Sequence, residues 1–166
     1  MQLENKVVLI TGAGRGIGAA TAILLAKHKA LVIVSDINSE SAKKVADTIK
    51  KAGGKAIAFQ ADVSRFEEVE SLIRSTIKEH GTIDVMVNNA GIGGKNLKKT
   101  AEHTLDDWDN VIAVNQTGVF YCMKVALQQM MKQGHGNIIN IASLAGLKPS
   151  GNNLSYSASK FAVVGM

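Results

Sequence analysis

One cysteine, Cys122, and 4% aromatic residues are all that 166 positions provide of either. A single thiol excludes a disulfide framework and a thiolate metal cluster, so a reducing, cytoplasmic setting fits. Cys122 itself reads as a small buried hydrophobe within the helical pattern "FYCMKVAL". No apolar run reaches the length that spans a bilayer, and the opening "MQLENKVVLI" has no basic stretch followed by an apolar one. Neither a membrane anchor nor an export signal is therefore expected. Scarce aromatics, with lysines dispersed along helix faces as in "SAKKVADTIKK", leave no stacking platform and no basic stripe. The formal charge of +5 thus points to no nucleic-acid partner. Lys95, Lys98 and Lys99 read as a solvated loop, and repeats, low-complexity tracts and linkers are missing as well.

What is present is the composition of a globular protein, 46% hydrophobic and 20% charged, long enough to bury a sizeable core. Residues 1–166 read as one domain. Short β-branched runs at 6–11, 31–36, 55–60, 83–88 and 137–142 alternate with helix-period stretches at 16–29, 39–52, 65–80 and 104–133. That alternation predicts an α/β fold with a parallel sheet and helices on both faces, because parallel neighbours need crossover connections. Glycines in "KAGGK" and "KEHGT" mark helix ends. Polar groups or glycine follow every strand: Thr11 and Gly12, Asp36, Asp62, Asn88 and Asn89, and Ser143. Ligands of open parallel sheets bind outside those carboxyl ends, so the five positions outline one rim.

"TGAGRGIG" follows a strand and opens a helix. Gly12, Gly16 and Gly18 permit a tight turn, close approach of a pyrophosphate to the backbone and close packing of helix on strand. Asp36, eighteen residues after Gly18, can accept hydrogen bonds from ribose hydroxyls and would repel a 2′-phosphate. NAD is favoured over NADP on that ground, with Arg15 as the contrary sign, since a guanidinium could pair with the phosphate. The bland alternative makes Asp36 a cap for the helix near Ser39.

Tyr156 and Lys160 stand four residues apart, on one face of a helix predicted for 155–166. Tyrosine is a weak acid with an ordinary pKa of about 10, and a nearby cation favours its phenolate. Taken alone the two are an ordinary surface pair; Ser143 at the rim, able to hydrogen-bond a substrate oxygen, changes the balance. Asn115 interrupts the apolar stripe Leu105, Trp108, Ile112, Val119, Met123. A buried amide must have its hydrogen bonds made, so Asn115 is either a satisfied core residue, the favoured reading, or part of a polar network.

With "TGAGRGIG", Asp62 in "ADVS", "NNAG" at 88–91, Asn115, Ser143 and "YSASK" at 156–160 in one order, the chain resembles the short-chain dehydrogenase/reductase family along almost its whole length. The resemblance implies a Rossmann-type doubly wound sheet. It also implies hydride transfer between a nicotinamide cofactor and a secondary alcohol or ketone, with no metal. Tyr156 would be the general acid/base, Lys160 would assist it and bind the nicotinamide ribose, Ser143 would polarise the substrate oxygen, and Asn115 would hold a relay water. Cofactor contacts would come from Gly12, Arg15, Gly16, Ile17, Gly18, Asp36, Asp62, Val63, Asn89, Gly91, Tyr156 and Lys160. Similar proteins form homo-oligomers and continue well beyond Lys160, so the last strands and the substrate loop are expected to lie outside this chain, which reads as truncated. Two other readings stay open: a reductase of 3-oxoacyl groups on a carrier protein, and a dinucleotide-binding module without turnover.

Overall fold

The computed structural model describes residues 3–93 and 98–166; Lys95 and the first two residues of "MQLENKVVLI" lie outside them. Five strands, β1 (Val7–Ile10), β2 (Leu31–Asp36), β3 (Lys55–Gln60), β4 (Val85–Asn88) and β5 (Asn137–Asn140), form one parallel sheet in the order β3-β2-β1-β4-β5. All five lie within the predicted runs, and the outer residues of 6–11, 83–88 and 137–142 prove to be loop. Helices α1 (Gly16–Lys27), α2 (Ser39–Lys51), α3 (Phe66–His80), α4 (Leu105–Ile112), α5 (Gly118–Gln133) and α6 (Leu154–Gly165) cover the two faces. The chain has the α/β architecture with a parallel sheet that the alternation predicted, and the Rossmann-type topology that the resemblance implies. No helix among the described residues is long and apolar enough to cross a membrane.

Side chains of a strand alternate between its two faces, and in β1 both faces are covered. Val8 and Ile10 join Val32, Val34, Ala22, Ala26, Val45 and Ile49 in one core under α1 and α2. Leu9 faces the other way, into Met86, Val69, Leu72, Ile73, Cys122 and Ala126 under α3 and α5. A strand buried on both faces must be apolar throughout, which is why "VVLI" carries no polar residue. Cys122 is buried as expected, and burial pushes its thiol up to about 12, so it is inert packing.

The predicted helix 104–133 departs from expectation in one place. Its backbone is helical, but Ala113–Thr117 forms a π turn between α4 and α5. The extra residue in that turn shifts the buried stripe, which runs Val111, Asn115, Val119, Cys122, Ala126, Met130. Leu105, placed on the stripe by periodicity, is 80% exposed. Gly81 ends α3 with a left-handed φ of 75°, as "KEHGT" suggested.

The sheet order reverses at β1, where β2 continues to one side and β4 to the other. Crevices open at such switch points, outside the carboxyl ends of the strands. The loops after β1 and β4 are accordingly the ones that matter most for a site.

Candidate active site

A cleft of about 350 Å³ opens above the switch point. Gly12, Arg15, Gly16 and Ile17 line it from the loop after β1, Asp36 and Ile37 from the end of β2, Asp62 and Val63 from beyond β3, and Asn89, Gly91 and Ile92 from beyond β4. Gly12 turns the chain with φ +61°, a conformation that side chains other than glycine's rarely adopt. Gly18 lies behind the cleft wall: a Cβ there would strike the Gly12 carbonyl and stand 2.5 Å from Asn89 Nδ2. Close approach, as predicted for this glycine, is what the helix requires. Asn89 Nδ2 donates to the carbonyls of Thr11 and Gly12, each at 2.9 Å, and the N–H groups of Asn89 and Ala90 donate to Thr11 Oγ1. "NNAG" and the glycine loop are thereby stitched into one unit. No side chain caps α1 and no acid occupies its first turn, so the positive end of the helix faces the cleft uncompensated.

Asp36 Oδ2 accepts from Gly14 N–H at 2.8 Å and Oδ1 from Asn38 N–H at 3.0 Å. Its alternative reading as a helix cap gives way: Asn38 caps α2, its Oδ1 accepting from Ser41 N–H at 2.8 Å. Asp62 Oδ1 accepts from both the N–H and the hydroxyl of Ser64, which holds the turn after β3.

The second part of the site lies where β5 meets α6. Lys160 is 5% exposed, a rare condition for lysine, and its Nζ donates to the Ile141 carbonyl at 2.7 Å. That same Nζ stands 5.7 Å from the centre of the Tyr156 ring, so the pair is no ordinary surface pair. Burial holds the Lys160 ammonium below its usual range. Ser143 opens a short 3-10 turn at Leu144–Gly146, its Oγ accepting from Ala145 N–H at 3.2 Å. The turn lies hard against α6, since a Cβ on Gly146 would fall 2.8 Å from the Lys160 carbonyl carbon. Ser143 is thus fastened to the Tyr156 helix on both sides, through Ile141 before it and Gly146 after it.

Asn115 is fully buried and fully used. Its Oδ1 accepts from Ile92 N–H at 2.8 Å, and Nδ2 donates to the Ile92 carbonyl at 2.9 Å and to Ser159 Oγ at 3.1 Å. Ser159 Oγ in turn donates to the Tyr156 carbonyl at 2.7 Å. One amide therefore ties the loop after β4, the π turn and α6 together. Gly91 completes the join, because a Cβ there would lie 3.4 Å from Asn115 Oδ1 and 3.7 Å from Lys160 Nζ. The cleft and the Tyr156 corner share this boundary.

The sequence profile of the short chain dehydrogenase family matches residues 6–166. The chain belongs to that family. Among its members it is 45% identical over 165 residues to a 3-oxoacyl-[acyl-carrier-protein] reductase of Synechocystis sp., covering 98% of this chain and 66% of that protein. Superposition on an NAD+-bound xylitol dehydrogenase gives a TM-score of 0.96 at 34% identity, over 99% of this chain and 63% of the other. A metagenomic short-chain oxidoreductase in complex with NADP gives 0.94 at 34% identity, over 99% and 74%. The chain spans about 65% of the length of the curated relatives it matches.

Several residues that hold this family's fold together here carry little or no signal in the sequence. Thr11 reads there only as a rim position, yet its hydroxyl anchors "NNAG". Ser159 lies inside "YSASK" and links Asn115 to Tyr156. The Ile141 carbonyl that receives Lys160 has no sequence signal, since any residue supplies a carbonyl. Gly14 could have been found, as a fourth glycine in "TGAGRGIG" that the GxxxGxG spacing does not use.

Proposed function

We propose that this chain carries the cofactor site and the proton-transfer residues of an NAD(H)-preferring oxidoreductase that interconverts a secondary alcohol and a ketone. The observation that carries the reading is Lys160: a buried lysine, its ammonium fixed by Ile141 beside the Tyr156 ring. Keeping a cation there has an electrostatic cost, and functional sites are where such costs are found.

The residues present fit a nicotinamide dinucleotide. The uncapped start of α1 and the glycine loop suit its pyrophosphate, with Gly12, Arg15, Gly16, Ile17 and the closely packed Gly18 forming that wall. Asp36 suits the adenosine ribose, Asp62 and Val63 the adenine, Asn89 and Gly91 the stretch beyond. When bound, the nicotinamide supplies the hydride acceptor or donor. Tyr156 takes the alcohol proton in oxidation and returns one to the ketone oxygen in reduction. The Lys160 ammonium, held by the Ile141 carbonyl, stands beside the ring that makes this transfer. Ser143 orients the reacting oxygen by a hydrogen bond, and Asn115 keeps α6 in register with the loop after β4, with any relay water held nearby. A cytoplasmic location, a small-molecule alcohol or ketone as substrate and a homo-oligomeric assembly belong to the same proposal; Phe120 and Phe161, exposed on α5 and α6, are surfaces for such pairing.

Alcohol-dependent formation of NADH by the purified chain, measured beside Tyr156→Phe, tests the proposal. A rate no greater than that of the variant refutes it for this chain. A second reading, reduction of a 3-oxoacyl thioester, is favoured by the 45% identity to the Synechocystis reductase. Consumption of NADPH with a 3-oxoacyl thioester, and not of NADH with a simple ketone, decides for it.

A further inference from the structure

Gly14 does not line the cleft, and its own backbone does not demand glycine. Gly12 and Gly16 have positive φ and Gly14 does not. What excludes a side chain at 14 lies outside the loop. A Cβ there would stand 2.8 Å from Asp36 Oδ2, 2.9 Å from Asp36 Cγ and 2.7 Å from the Ser41 Cβ. The space that Gly14 leaves is filled by a carboxylate, which accepts the Gly14 N–H at 2.8 Å.

We infer that Gly14 is a positioning residue for cofactor choice: its missing side chain lets the Asp36 carboxylate seat on the glycine loop, and any side chain there turns the carboxylate aside and weakens discrimination between NADH and NADPH. This rests on the cofactor reading proposed above and adds the residue that sets it. The seat has two points. Asn38 N–H holds Oδ1 from the loop before α2, and Gly14 N–H holds Oδ2 from the loop before α1. A carboxylate held by two backbone donors cannot swing away from an approaching ribose or 2′-phosphate. Repulsion of that phosphate falls with distance, and hydrogen bonding to the ribose hydroxyls needs correct geometry, so both depend on where the carboxylate is held. Ser41, on the first turn of α2, backs the same space and prevents a side chain at 14 from escaping that way.

Fluorescence titration of the 166-residue chain with NADH and with NADPH tests this, using wild type, Gly14→Ala, Asp36→Ala and the double variant, each checked for folding by circular dichroism. The wild type should bind NADH the more tightly. Gly14→Ala should lose about tenfold in NADH affinity, the scale of one hydrogen bond to a charged group, and much less in NADPH affinity. In the double variant the ratio of the two affinities should equal that of Asp36→Ala alone, because Gly14 acts only through Asp36. Equal weakening of both cofactors, an unchanged ratio, or additive effects in the double variant would overturn the inference while leaving the cofactor reading in place. A wild type without preference for NADH overturns the cofactor reading itself, and the inference with it. Should Gly14→Ala fail to fold, Gly14→Ala/Ser41→Gly removes the clash with α2, keeps the clash with Asp36 and gives the same reading of the ratio.

Discussion

The inner strands beside the glycine loop and the outer strand beside the Tyr156 helix differ in how they are covered. On one side of the switch point, β1 and β2 are buried on both faces, and α1 and α2 seal the core beneath the glycine loop. On the other, β5 pairs with β4 alone among the described residues, Ile139 is 48% exposed, and Phe161 and Val164 on α6 and Met166 after it are open. The cleft straddles the switch point, lined from the loops after β1 and β2 and from the loop after β4, whereas the Tyr156–Lys160 corner lies wholly on the second side. On the proposed function, Tyr156 sits on elements whose register depends on a few polar links. Asn115, Ser159 and the Ile141 carbonyl are those links, and each joins segments far apart in sequence.

The contrast between the halves is sharpest at the chemistry. Tyr156→Phe should lower turnover by about 10²–10⁴, the usual worth of a positioned acid/base. NADH affinity should stay within a factor of about two, since Tyr156 does not line the cleft and its ring is kept. Parallel fall of both quantities would show that the two halves are one unit.

Next in size is a core truncation. Leu9→Ala empties a fully buried position of β1 and should cost about 2–5 kcal/mol in chemical unfolding. The cradle should be lost with it, so NADH binding at moderate denaturant should fail well before it does in the wild type. Hydrogen exchange sharpens the point, because amides of β1 and β2 should exchange only through global opening and those of β5 through local opening.

Much of this division was legible in the sequence. "VVLI" and "LVIVSD" carry no alternation, which is the mark of strands buried on both sides, and Asp36 at the end of the second is polar where the strand leaves the core. Asn115 stood out as an amide within an apolar stripe. The π turn around it did not, because it depends on Ile92 and Ser159, which reach it only in the folded chain. Leu105 was placed on the wrong face for the same reason: an uninterrupted period carries a stripe straight through a turn that in fact holds an extra residue. The burial of Lys160 was equally out of reach, since a YxxxK spacing fixes a helix face without saying what covers it.

Where the halves meet, Asp84 supplies a smaller effect with a definite pH dependence. Burial alone would raise its pKa, but Lys6 Nζ at 2.8 Å, Val7 N–H at 2.9 Å and the charge of Lys6 outweigh it and hold the carboxyl below its usual range. A depressed folded pKa stabilises the native state above the unfolded value of about 3.9 and loses that contribution as pH falls through the folded value. Asp84→Asn should therefore cost on the order of 1–2 kcal/mol at pH 7, a loss that shrinks towards zero in urea unfolding series run below about pH 4. A constant difference across that range would mean that the charge of Asp84 is irrelevant and only its shape matters.

The smallest effect is expected at the edge. Ile138 packs against the core beneath α3 and α5, while its neighbour Ile139 points to the opposite face and is half exposed. Ile139→Thr keeps the β-branch that suits a strand and removes apolar surface from a strand paired on one side among the described residues. Stability should change by no more than about 0.5 kcal/mol, as for a surface site, while light scattering should show less self-association at high concentration. Ile139 thus separates two properties that Leu9 cannot: at a buried position apolar surface serves folding, and at an edge it mainly invites other chains. If Ile139→Thr cost as much as Leu9→Ala, β5 would be a core strand in solution, covered by something that pairs with it, and the contrast between the two halves would have to be drawn elsewhere.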